Sequence, residues 1–582
     1  MATTSSTNSV ALDSFSARHH PLMTSRGILS LVAAFALLAF SWRFAEVRPG
    51  VLLRPATAAA IWNFVSQLFP PDLSAEFVRT VFRAVAQTMA TAVAGTLLSI
   101  SVALPLGVLA TGTLWSRGVL VAANDGFAYG VGWMASRLAR TTLGFLRAVP
   151  DLVWALLFVA AVGLGSLAGT LALSLAYSGV LGRVYADVFE HVDPQPLEAL
   201  QSTGATRMQI FLHGVWPQAL PHLLAYTLYS FECCVRAAAV LGFVGAGGIG
   251  YEISVSMRLF EYGQVLTLLL VFIMLLTVTD AASRSLRARS FRRATSLREM
   301  RAESRSSLTL LTNKSRRLVA WMAVLSLMVG SFALAGFAPE TLIQAGVASR
   351  LTEFVRRMLP LDLSWAFVSS LGTALLQTIA ISLMGTLIGM AFAVILAVPA
   401  TSTLTFLRSD SPGKHGVTDR VLRWLLFWSA RLVLNILRSI PELVWVLICI
   451  LAVGIGPFAG TIALGLHTAG VLGKLYAETM EEVPRRPVEA LRSLGASPVQ
   501  VLLWAIWPQA RPLLSSYTVL RWETNLRASA ILGLVGGGGL GQAIYNNVQL
   551  GFYPRLSTLI LLIYALVLAS DWIGERLRLR VA

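Results

Sequence analysis

Two pairs of ionisable residues stand where the surrounding chain is apolar. Glu232 and Arg236 lie four residues apart, on one face of a helix, and the pair returns as Glu523 and Arg527. Charge within an apolar span is costly and faces a protein interior or a water-filled path. Each pair therefore fits an ion pair within its helix or a contact to a passing polar solute. A glycine-rich run follows each pair, at 241–250 and 532–541. Gly247, Gly248, Gly538 and Gly539 let backbone approach backbone and leave amides for an anion, as at a gate, and they suit a close-packed turn equally well. Arg147 and Arg438 each stand three residues before a helix-breaking proline, Pro150 or Pro441, beside a translocation axis or at the membrane interface. Asn525 occupies the position that is Cys234 in the first copy, so the second copy would offer a solute more hydrogen bonds.

Other chemistries lack their residues. The phosphate loop Gly-x4-Gly-Lys-Ser/Thr does not occur: Gly413-Lys414 runs into His415 and Gly473-Lys474 into Leu475. No His-Glu-x2-His and no Gly-x-Ser-x-Gly is found. Cys233, Cys234 and Cys449 sit in apolar stretches without metal-ligand spacing, so no metal, cofactor or catalytic residue is expected in this chain.

The elements that must position these residues are membrane helices. Of 582 residues 56% are hydrophobic and 13% charged, about half the charged share of a soluble domain, and the mean hydropathy is +0.70. Six spans are expected in each half, near 28–45, 84–112, 141–163, 166–187, 220–246 and 262–283, and near 318–337, 373–400, 430–454, 457–478, 511–537 and 553–574. Segment 119–135 holds Asn124 and Asp125 and reads as an interfacial loop. Residues 146–280 match 437–571 at an offset of 291, so the chain is two fused copies of one unit. An even number of spans per copy makes the repeat parallel, about an axis along the membrane normal.

The net charge of +17 is concentrated in one place. The segment from Arg284 to Arg317 holds eleven Lys or Arg against Glu299 and Glu303, which suits a cytoplasmic loop rather than a nucleic-acid site. That side also takes both termini, while 46–83, 338–372, 247–261 and 538–552 face outward.

Between the fourth and fifth spans each copy has a polar loop on the cytoplasmic side, Pro196-Leu197-Glu198-Ala199-Leu200 through Gly204 and Pro487-Val488-Glu489-Ala490-Leu491 through Gly495. Proline opens a helix, Glu-Ala-Leu propagates it, and glycine ends it. A second short amphipathic helix follows, stopped by Trp216-Pro217 or Trp507-Pro508.

These loops resemble the EAA loop of binding-protein-dependent ABC importer permeases, with Leu200 and Leu491 where the usual pattern has alanine. The segments at 235–252, 258–262 and 438–442 resemble the phosphonate-transport permeases among them. The resemblance implies an all-α polytopic protein of the type I importer kind, in two parallel tandem repeats of about six transmembrane helices each, in a bacterial inner membrane. It gives Glu198, Ala199, Gly204, Glu489, Ala490 and Gly495 the coupling role. It places Mg-ATP on two cytoplasmic ATP-binding subunits and adds an external solute-binding protein, with a phosphonate or related phosphorus oxyanion as cargo and membrane lipid around the spans. The chain divides accordingly into 1–83 (tail, first helix and external segment), 84–283 (first transmembrane domain, docking loop near 190–220), 284–317 (basic linker), 318–372 (first helix of the second repeat and external segment) and 373–582 (second transmembrane domain, docking loop near 481–511). The rival expectation is an ATP-independent twelve-helix secondary transporter, which also has two parallel halves.

Overall fold

The computed structural model describes residues 25–112, 126–299, 347–406 and 417–581, with parts of 322–336. Regular structure among them is entirely helical. Leaving out helices of four residues, the first half runs α1 Ser25–Phe44, α2 Pro55–Gln67, α3 Ala75–Ala110, α4 Gly126–Ala148, α5 Asp151–Val162, α6 Ser166–Glu190, α7 Gln195–Ser202, α8 Trp216–Leu241, α9 Gly248–Arg258 and α10 Tyr262–Glu299. The second repeats the order: α11 Val347–Met358, α12 Trp365–Ala400, α13 Val417–Ser439, α14 Glu442–Val453, α15 Pro457–Glu482, α16 Arg485–Ser493, α17 Trp507–Leu532, α18 Gly539–Gln549 and α19 Tyr553–Val581. Among the described residues seven helices are long and apolar enough to cross a bilayer, or ten segments if each bent pair counts as one span. Of the span expected at 318–337, residues 322, 325, 326 and 328–334 are helical and 335–336 form a turn, while 318–321, 323, 324, 327 and 337 lie outside the described residues.

Helices α3 and α12 have 36 residues each, about 54 Å of helix against roughly 30 Å of hydrocarbon, so both extend beyond the bilayer core. Each packs along the fourth span of its half. Glycine permits the closeness: a Cβ on Gly385 would lie 3.0 Å from Leu464, and Ser99 Oγ reaches across to the Ser174 carbonyl at 3.2 Å. Before α3, the Asp72 carboxylate accepts the Ser74 amide at 2.9 Å, and hydrogen bonds from Ser74 hold it below the usual carboxylate range.

Two expectations change. The third span is not one helix: α4 and α5 meet at 86° and α13 and α14 at 98°, because Pro150 and Pro441 lack an amide and force the preceding residue out of helical geometry. The interfacial loop expected at 119–135 is helical from Gly126 onward, and 119–125 lie outside the described residues. Helix α4 is amphipathic, with Ala139 and Leu143 buried and Met134 and Leu138 exposed, and its glycines obscured that period in the sequence.

Candidate functional site: coupling loops and a path between the halves

The loops at 195–215 and 485–506 fold alike. Leu197 and Val488 anchor α7 and α16, while Glu198, Ala199, Glu489 and Ala490 are exposed. Gly204 and Gly495 take φ of 78° and 80°. The Gly204 and Ala205 amides turn back to the Gln201 and Leu200 carbonyls at 3.0 and 3.4 Å, which closes the helix end in a left-handed cap. A capping box starts the next turn, with Thr206 N donating to Gln209 Oε1 and Ser497 N to Gln500 Oε1, both at 2.8 Å. Trp-Pro does not stop this second helix. A π turn at Phe211–Val215 and Leu502–Ile506 widens the ladder, absorbs the missing proline amide and carries the chain straight into α8 and α17.

Each loop is moored at its upstream end. Glu190, last in α6, accepts the Gly112 amide at 2.6 Å and pairs with Arg140, whose Nε donates to the Ala110 carbonyl at 2.7 Å. Glu481 likewise accepts the Ser402 amide at 2.6 Å and Arg431 at 2.8 Å. The ends of the second and fourth spans are thus clamped to α4 or α13 beside the loop.

The charges in the fifth span do not pair along their own helix. Glu232 pairs with Arg287 at 3.4 Å and Glu523 with Arg578, both on the last helix of their half. Arg527 pairs with Asp571 at 2.7 Å, and the same carboxylate takes Arg147 of the first half at 3.0 Å. The repeat-related set is open: Asp280 Oδ1 and Arg438 Nε are buried without a hydrogen-bond partner among the described residues. Two amides at the end of each glycine run are occupied. Gln87 and Thr88 take the Gly248 and Ile249 amides at 3.3 and 2.9 Å, and Gln377 and Thr378 take those of Gly539 and Leu540 at 3.3 and 2.8 Å. Gly247, Gly248, Gly538 and Gly539 form a close-packed turn fastened to α3 or α12.

Beyond these turns lies a cavity of about 880 Å³ between the halves. Its walls include Tyr251, Ser254 and Arg258 of α9 and, in the same register, Gln542, Tyr545 and Gln549 of α18. Arg258 is the one charged residue among the described residues lining it, and Gln549 holds the repeat-related position in the other wall.

A buried polar network near the bends belongs to the second half alone. Glu442 lies 3.1 Å from His467 Nε2 and 3.5 Å from Arg521. Asn525, fully buried, donates to Thr386 at 2.8 Å and Thr468 at 2.9 Å. The first-half counterparts of Glu442, His467, Thr468, Arg521 and Asn525 are Asp151, Ala176, Tyr177, Ser230 and Cys234.

Residues 118–292 and 416–582 each match the family described as binding-protein-dependent transport system inner membrane component. The chain belongs to that family. The permease carries the domain twice, as a multi-pass inner-membrane protein of the ABC importer type. It is 34% identical over 448 residues to the phosphate-import permease protein PhnE of Mycolicibacterium smegmatis, covering 76% of this chain and 78% of that one. It is 38% identical over 204 residues to the phosphite transport system permease protein PtxC of Stutzerimonas stutzeri, covering 35% of this chain and 68% of that one. A solved inward-facing MetNI methionine ABC transporter chain aligns at 23% identity and a TM-score of 0.32, covering 38% of this permease and all of that chain.

Within the permease the structure brings Arg147, Arg527 and Asp571 together, and sets Asn525 into a network with Thr386 and Thr468. Arg438 makes no such pairing among the described residues. Sequence reasoning passed over Arg521, His467 and Arg258, although aligning the two halves exposes each as a charge or imidazole opposite serine, alanine or glutamine.

Proposed function

We propose that this permease forms the membrane path of an ATP-driven importer for a phosphorus oxyanion, exposing that path alternately to the two sides. The paired coupling loops carry the reading. Around the exposed Glu198 and Glu489 lie large apolar side chains with no cover among the described residues, among them Leu494, 83% exposed, and Trp504, 75% exposed. Such a surface outside the lipid suits a protein partner. Two ATP-binding subunits would dock there, one per loop, and hold the Mg-ATP. The clamps from Glu190 and Glu481 give a docking motion a stiff route into α3, α4, α12 and α13. On the other face, the cavity rimmed by Tyr251, Arg258 and Tyr545 would receive solute from an external binding protein, with both chain termini cytoplasmic.

The cargo class is supported by the names of the relatives, phosphate import and phosphite transport, and by arginines at the mouth and along the path, since guanidinium groups suit phosphorus oxyanions. Glu232, Arg236, Glu523 and Arg527 then act mainly by setting how the last helix of each half sits.

The test is co-purification of the chain with co-expressed ATP-binding subunits, comparing wild type with Glu198→Ala/Glu489→Ala. A complex lost in the double variant is expected. Nucleotide-independent uptake by vesicles holding the chain alone would instead favour a secondary transporter. Competition among phosphate, phosphite and methylphosphonate in proteoliposomes then ranks the cargo.

A further inference from the structure

A second large cavity, about 820 Å³, opens at the coupling-loop end of the membrane region, where α4 and α6 of the first half meet α19 of the second. Arg137, Arg140 and Arg183 line it together with Glu190, Trp133, Tyr564 and Leu568, so the described residues of its wall carry a formal charge of +2. Arg140 is committed to Glu190 and the Ala110 carbonyl, and Arg183 lies 3.5 Å from Asp187. Arg137 makes no ion pair among the described residues. Its guanidinium sits 5.0 Å from the centroid of the Trp133 ring, which covers one face and leaves the N–H groups at the edge.

The neighbourhood of the cavity suits lipid. Met134 and Leu138 are about two-thirds exposed on α4, and Trp133 is half exposed, as suits an amphipathic helix lying at a membrane interface. A cationic cavity between membrane helices on the cytoplasmic side, with aromatic and aliphatic walls, meets the demands of a phosphate diester attached to acyl chains. We propose that the cavity lined by Arg137, Arg140 and Arg183 binds the headgroup of one anionic phospholipid, at the joint between the two halves.

The repeat makes the proposal one-sided. The positions of Ser136, Arg137, Thr141 and Arg183 are Phe427, Trp428, Leu432 and Lys474 in the second half. Phe427 is buried and packs under Arg431, with the guanidinium carbon 4.5 Å from the ring centroid, and the Trp428 ring lies tilted against Trp424 at 6.1 Å. Aromatic rings thus stand where the first half presents polar and cationic groups, so one tightly held lipid per chain is expected, not two.

The test is native mass spectrometry of the full chain purified with phosphatidylglycerol or with phosphatidylcholine. One phosphatidylglycerol per chain should survive delipidation, and phosphatidylcholine should not. Arg137→Trp/Arg183→Gln should lower retention about thirtyfold, taking each arginine near a membrane surface as worth about 1 kcal/mol, while Arg79→Gln, at an exposed position near the start of α3 and away from the cavity, should not change it. Where the double variant elutes or melts abnormally, Arg137→Gln alone, which breaks no ion pair, should lower retention in the same direction. Equal retention of both lipids, two lipids per chain, or retention unchanged in the arginine variants would overturn the proposal. Displacement by inorganic phosphate at millimolar concentration would also overturn it, giving the site to the free anion. None of these outcomes depends on which cargo the permease carries.

Discussion

The two halves share a fold and differ in what they bury. At the bend after Pro441 the second half holds Glu442, His467 and Arg521 in contact, with Asn525 bridging Thr386 and Thr468 nearby. At the bend after Pro150 the first half places Ala176, Ser230 and Cys234 in the corresponding positions beside Asp151. The coupling clamps run the other way: Arg140–Glu190 and Arg431–Glu481 are repeated contact for contact. What the halves share is the machinery beside the loops, where two similar partners would pull alike. What they do not share lies near the bends, which on the proposed reading flank the path, where a single solute would meet both halves at once.

The comparison can be broken at its most buried point. Arg521→Leu leaves Glu442 without its guanidinium partner and is expected to cost about 3–5 kcal/mol, seen as a lowered melting temperature in detergent. Ser230→Leu, its mirror, should cost much less, and equal losses would end the idea that the second half alone depends on this network. Next comes Asn525→Cys, which makes the position like its first-half counterpart. Removing interhelical hydrogen bonds to two buried threonines should cost about 1–2 kcal/mol and slow uptake, whereas Cys234→Ala should leave uptake near wild type.

Two smaller effects sharpen the contrast. Arg147→Gln removes the tie between halves at Asp571, where the arginine is 41% exposed, so about 0.5–1 kcal/mol is expected. Arg438→Gln removes a cation whose Nε has no partner and should cost less by the same melting assay. Smallest is Arg258→Gln, which makes the outer mouth uncharged. The KM for uptake should rise roughly two- to fivefold at low salt, with the difference fading as ionic strength increases. Adding Gln549→Arg should restore it, because the cation then returns to the same cavity from the other wall. Failure of that rescue would tie Arg258 to something specific to α9.

Much of this was legible before any coordinates. The offset of 291 exposed the duplication, and Pro-x-Glu-Ala-Leu followed by glycine marked the helix and its left-handed end in both loops, since capping and turn chemistry act over a few residues. The ion pairs were not legible. Glu232 and Arg236 share a helix face, yet Arg287 meets Glu232 from 55 residues further along, a choice set by how the fifth and sixth spans pack. The glycine runs announced close approach but not that Gln87, Thr88, Gln377 and Thr378 would occupy their amides. The bends were half legible: the prolines were seen, and the size of the angle was not. Arg521 and His467 went unnoticed because neither recurs in the other half, and only the mirror position marks each as unusual.

Tandem fusion has an evolutionary consequence. In a permease assembled from two copies of one gene product, each inherited change appears on both sides of the axis, and a second arginine would come with every Arg521. A single reading frame holding both halves removes that constraint. One side of the pore can drift, specialise or take on a lipid while the other keeps its ancestral form.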